Sequence, residues 1–110
     1  MMTSDFFSRR PPNDVIVNAI LSLNGEITSN MRAVFIGYST RNMKFHFVVY
    51  KEPSKDDEES AEIIAVNFFS GHFEKLETLE IKFIISVGLF KDLDHLDFVL
   101  FHRKEYYTKE

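Results

Sequence analysis

The stretch Glu52-Pro53-Ser54-Lys55-Asp56-Asp57-Glu58-Glu59-Ser60-Ala61-Glu62-Ile63-Ile64-Ala65-Val66-Asn67-Phe68-Phe69-Ser70-Gly71-His72-Phe73 decides the fold. Pro53 is excluded from a helix interior but suits the residues just before one, and the Ser54 hydroxyl can accept from a free first-turn N–H. Asp56 to Glu59 then fall in the first turns, where carboxylates oppose the positive end of the helix dipole. Ala61, Ile64, Ala65 and Phe68 recur at helical spacing and mark a buried stripe. Gly71 is able to take the left-handed conformation that closes such an element. The pattern predicts a helix over Lys55 to Ser70 that carries one buried stripe and a dense acidic head.

Strand signals frame this helix on both sides. Upstream, from Met31 to Thr40, the period is two: Arg32, Val34, Ile36 and Tyr38 alternate with Ala33, Phe35, Gly37 and Ser39. A polar turn, Thr40-Arg41-Asn42-Met43, leads into a second strand to Lys51. There Phe45, Phe47 and Val49 share one side, and Lys44, His46, Val48 and Tyr50 line the other. Strands joined this closely form an antiparallel hairpin. Downstream, Thr78 to Val87 reads as a third strand with Leu79, Ile81, Phe83 and Ile85 inward. Leu96 to Arg103 reads as a fourth, in a second hairpin, with Phe98 and Leu100 facing opposite to Val99 and Phe101. Ahead of the first strand, Asn13 or Asp14 is placed to cap a helix that runs to Asn24 and Gly25. In it Val15, Ala19 and Leu23 form one line, with Ile16, Ile20 and Leu21 beside it.

The order is therefore α-β-β-α-β-β, an α+β domain in which two helices cover one face of a four-stranded antiparallel sheet. A return of the chain by the second helix would set the third strand parallel to the second; 2-1-3-4 and 1-2-4-3 are the fully antiparallel orders. Alternation does not choose between them. Phe45, Phe47, Ile64, Phe68, Ile81 and Phe83 are the expected core. Residues 1–12 read as a frayed leader, 13–105 as a single domain and 106–110 as a polar tail.

A chain of 110 residues with 45% hydrophobic residues and 12 Phe can bury a core without covalent staples. The absence of cysteine excludes disulfides and thiolate chemistry and suits a reducing, cytoplasmic setting. No apolar run is long enough to span a bilayer, and the first residues lack a hydrophobic signal segment. A net charge of −4 argues against direct binding of nucleic acid or an anionic membrane.

Glu52, Asp56, Asp57, Glu58, Glu59 and Glu62 stand against only Lys51 and Lys55 nearby, a surface suited to attracting a basic protein. The bland reading is that acids simply belong at a helix start. Their spacing matches no EF-hand loop, and successive helical positions fan around the axis, so no metal site is expected. Asp92, Asp94, His95 and Asp97 form a second polar cluster of the kind usual in solvated turns. His46, His72, His95 and His102 are scattered, with no nucleophile elbow, zinc-protease motif or glycine-rich phosphate loop to pair with them. Neither an enzyme nor a cofactor is expected. Tyr38 and Tyr50 offer contact area with a polar tip, and belong with the acids among the candidate partner-binding residues. Val48, Val99 and Phe101 would expose an apolar patch if helices cover only one sheet face, which would suit a homodimer or an adaptor.

The run from Ala19 to Val34, Ala-Ile-Leu-Ser-Leu-Asn-Gly-Glu-Ile-Thr-Ser-Asn-Met-Arg-Ala-Val, followed by Asp57-Glu58-Glu59-Ser60-Ala61 and His102-Arg103-Lys104-Glu105, resembles small bacterial immunity proteins of the colicin or contact-dependent growth inhibition type. The resemblance spans most of Asn18 to Glu105, departing between Ile84 and Phe90, where a proline-bearing loop would be in keeping. It implies a protein that binds and neutralises the nuclease domain of a toxic effector. Such domains are commonly basic, and the acidic block would be the complementary surface.

Overall fold

A computed structural model describes residues 10–39, 41–71, 76–88 and 98–103. Two helices, α1 (Asn13–Ser22) and α2 (Lys55–Gly71), accompany four strands, β1 (Met31–Ser39), β2 (Asn42–Val49), β3 (Thr78–Ile85) and β4 (Phe98–His102). The class and the element order are those read from the sequence. The sheet differs. Its order is β3-β2-β1-β4, with β1 antiparallel to both β2 and β4, but β2 parallel to β3. The expected all-antiparallel sheet is thus mixed, and the last two strands form no hairpin, because they occupy opposite edges. The physical reason is the connection: β2, α2 and β3 form a crossover unit, which brings the chain back to the same end of the sheet before it pairs again.

The helices and one sheet face enclose the main core. From the sheet come Val34, Ile36, Met43, Phe45, Phe47 and Val49, all at most 0% exposed, and from α2 Ala61, Ile64 and Phe68. Phe68 meets Phe45 edge-on with ring centroids 5.6 Å apart, while Phe47 lies 5.5 Å from Phe83 of β3. Ile81 and Phe83 are only half-buried, since β3 is an edge strand and among the described residues nothing pairs along its outer side.

Two bulges move side chains away from the faces that simple alternation assigns. Met31 pairs with Val49 and Ala33 with Val48, so Arg32 is the extra residue in β1. It is buried, donates to the Ser86 carbonyl at 3.3 Å and sits 5.9 Å from the Tyr50 ring centroid. In β4, Val34 faces Phe101 and Phe35 faces Val99, leaving Leu100 unpaired. Phe101 therefore packs against the main core, and not on the opposite face as alternation implied. Val48 is likewise not exposed: it is buried with Ala33 and Phe35 in a small second cluster that Ile84 borders. Of the expected open-face patch, Val99 alone is exposed, at 36%.

The helix ends also depart from expectation. Helix α1 starts one residue after Pro12, with no side-chain cap; among the described residues Asp14 accepts from the N–H of Val15, at 2.9 Å, and caps nothing further along. Its exit runs through Gly25 at φ 78, as read from the sequence. Gly71, the last residue of α2, lacks the expected left-handed φ, and its want of a side chain serves another end. A Cβ there would collide with Asn18 of α1, whose amide donates to the Phe68 carbonyl at 2.8 Å. The missing side chain lets the two helices approach.

Candidate functional site

Ser54 and Asp57 cap α2 reciprocally. The N–H of Asp57 donates to the Ser54 hydroxyl at 3.1 Å, and the N–H of Ser54 donates to the Asp57 carboxylate at 2.8 Å. The same carboxylate accepts from the Thr28 hydroxyl at 2.7 Å and from the Asn30 amide at 2.8 Å. Asn30 then grips the end of the hairpin, its carbonyl oxygen accepting from the N–H groups of Tyr50 and Lys51 and its amide donating to the Lys51 carbonyl. Arg103 closes the ring by donating to the carbonyls of Thr28 and Met31, at 2.9 and 3.0 Å. Three stretches far apart in sequence, 28–31, 50–57 and Arg103, meet in the network around this carboxylate.

Asp57 is therefore not one of the solvent-facing acids. It is 2% exposed. Burial alone would push its carboxyl up, but the bonds from Ser54, Thr28 and Asn30 hold it below the ordinary carboxylate value. Around it, Glu52, Asp56, Glu58, Glu59 and Glu62 are exposed, and the capping network fixes the helix end that carries four of them. With about 100° between successive helical residues, Asp56 and Glu59 point to one flank of α2 and Glu58 and Glu62 to the other. They form a crown of charge and not a chelating pocket; among the described residues no group of acids and histidines is arranged to hold a metal ion.

Tyr50 lies at this end of the hairpin and Tyr38 does not. Tyr38 pairs with Met43 beside the turn, seven residues along β1 from Met31, roughly 23 Å away at the usual rise per residue. Tyr38 packs against the main core, on the face covered by the helices. The backbone of Tyr50 thus joins the network behind the acids while its ring lies against Arg32, and Tyr38 is separate from both. His46, on the opposite sheet face, has its Nε2 3.8 Å from Glu80 and is half-buried. Burial lowers its pKa, Glu80 opposes that, and Lys82 and Lys44 reinforce it. His72, Asp92, Asp94, His95 and Asp97 lie outside the described residues, as do Met1 to Arg9 and the tail from Lys104.

The order of elements, the acidic helix head and the Ser54-to-Asp57 lock all fall within residues 12–105, which match the profile of the MafI2 immunity proteins. The chain belongs to the MafI2 immunity protein family. This membership places it among proteins named for neutralising a toxin, and it sharpens the broader resemblance to bacterial immunity proteins. No curated protein matches the chain. Among the described residues, no helix of this family member is long and apolar enough to cross a membrane.

Sequence reasoning missed two parts of the site. Thr28 and Asn30 looked like loop polar residues, although Ser54 followed three residues later by Asp57 was a signal that one acid would be turned inward. The second part is apolar. Val17, Ile20 and Leu21 of α1 and Ile63, Val66 and Phe69 of α2 are exposed, from 38% for Ile63 to 67% for Leu21. The signal was an apolar residue count on both helices larger than one buried stripe needs.

Proposed function

We propose that this MafI2 family member protects the cytoplasm by binding a cognate toxin domain of basic, nuclease type and occluding it, without catalysis. The family match carries the neutralising role. The acidic head of α2 supports the basic partner: Asp56, Glu58, Glu59 and Glu62 are exposed on a helix start that the Asp57 network holds in place, with Glu52 exposed just ahead of it. A positioned field of one sign raises the rate of capture of an oppositely charged protein. Tyr50, beside that head, is the aromatic neighbour best placed to join the contact.

The test is kinetic. Reversing Asp56, Glu58 and Glu59 to Lys is expected to slow association with the cognate toxin domain, to be sought among the genes adjoining its own, by about one to three decades and to flatten its salt dependence. Thermal melts run in parallel, and an Asn/Gln version of the same sites, separate this from helix weakening, because lysines at that end oppose the dipole. An unchanged association rate at low salt in a folded variant would reduce the acids to a solvated helix start.

A further inference from the structure

The helices carry more exposed apolar surface than the core accounts for, and it is not scattered. The amide of Asn18 donates to the Phe68 carbonyl and that of Asn67 to the Ser22 carbonyl, at 2.8 and 3.4 Å, so α1 and α2 run side by side in opposite directions. At about 100° per residue, the next positions outward from Asn18 and Ser22 are Leu21 and Val17, and the next outward from Asn67 are Ile63 and Val66. These four line the solvent side of the seam, at 67%, 54%, 38% and 62% exposed. Ile20 and Phe69 flank them on the far sides.

The same ridge of α2 continues into the acidic head. Glu59 precedes Ile63 by four residues and Val66 by seven, and Glu62 precedes Val66 by four, so the carboxylates border the apolar strip directly. Along α1 and α2 the exposed acids are Asp14, Asp56, Glu58, Glu59 and Glu62, and Lys55 is the one cation. Neither helix has a basic residue in its last turn. A second copy seated on this face would bring acids with no matching cations, whereas a basic partner supplies them.

We infer that the solvent side of the α1–α2 seam, Val17, Leu21, Ile63 and Val66 with Glu59 and Glu62 at its border, is the dry centre of the contact with the toxin domain, whose own surface presents an apolar patch ringed by Lys or Arg. This rests on the immunity reading and adds a division of labour to it: the acids set the rate of capture, and the apolar strip sets the lifetime of the complex. An apolar centre excluded from water behind a polar rim is where dissociation is controlled.

The experiment compares Leu21→Ser with Val66→Ser, singly and together, against Glu59→Gln with Glu62→Gln, using the same cognate toxin domain as the probe and surface-binding kinetics as the readout. All four side chains are exposed, so melts should match wild type. The apolar pair is expected to speed dissociation at least about tenfold with association nearly unchanged; the Gln pair should mainly slow association. Wild-type dissociation from the folded apolar pair, with association still sensitive to the acids, would overturn the inference and leave the immunity reading standing. No binding or protection by wild type would overturn both. A wild-type dimer in sedimentation that the apolar pair abolishes, with toxin binding intact, would assign the strip to a second copy and overturn the inference alone.

Discussion

Helix α2 shows the same residue types serving opposite ends on its two sides. On the inner side an acid, Asp57, is buried with Ala61, Ile64 and Phe68; on the outer side apolar residues, Ile63 and Val66, stand in water among acids. Residue type alone would have assigned them the other way. What separates the two sides is partnership. Asp57 is buried because three residues, Thr28, Asn30 and Ser54, supply hydrogen bonds to its carboxylate, which offset the cost of removing it from water. Val66 is exposed because the sheet and α1 already occupy every side of α2 they can reach. The inner side holds the fold together, and the outer side is available for a partner.

This contrast breaks most visibly at Phe68. Truncation to Ala empties a fully buried site against Phe45 and is expected to cost about 3–5 kcal/mol in denaturant unfolding; a loss below about 1 kcal/mol would mean that the inner side is not the structural one. Asp57→Ala comes next, at about 2–4 kcal/mol, because it leaves buried donors on Thr28 and Asn30 without their acceptor. Its effect also has a pH signature. The folded carboxyl ionises below its ordinary value, so its contribution is fully present above about pH 4, where the unfolded chain is also ionised, and fades as the pH falls through the lower folded value. Wild-type and Asp57→Asn melting temperatures should therefore converge in acid; a gap that widens there would reverse the assignment. The smallest effect is expected outside. Lys55→Ala and Val66→Ser should shift stability by no more than about 0.5 kcal/mol, and a larger loss from Val66→Ser would show that the outer strip packs against the chain itself.

Much of this was legible from the residues. The start of α2 at Lys55 and its stripe Ala61, Ile64 and Phe68 followed from spacing, because a single amphipathic helix is a local pattern. The hairpin followed from two alternating runs and a short turn. The parallel pairing of β2 with β3 did not, since alternation reports which face a side chain takes and is silent about which strand lies beside it. The faces of Arg32 and Phe101 were misassigned for a related reason: one inserted residue shifts the alternation beyond it, and nothing in the flanking residues marks the insertion. At the site, the acidic head was visible as composition. The inward turn of Asp57 depends on Thr28 and Asn30, almost thirty residues earlier, and so belongs to the tertiary structure.

The strand order also sets the sequence in which the molecule can assemble. Ser39 and Asn42 meet across a turn of two residues, whereas Ala33 and His102 are 69 positions apart, 102 minus 33. Closing the longer loop costs about 3 kcal/mol more in chain entropy by the logarithmic rule. The β1–β2 hairpin is thus the cheap nucleus, and β4 adds to an edge already formed. Weakening β4, for instance by Phe101→Leu, should then accelerate unfolding while leaving the folding rate nearly untouched, and a slowed folding arm in the chevron would contradict this order. Because Arg103 follows β4 directly and ties down Thr28 and Met31, the last strand to arrive also brings the residue that closes the ring of bonds behind the acidic head.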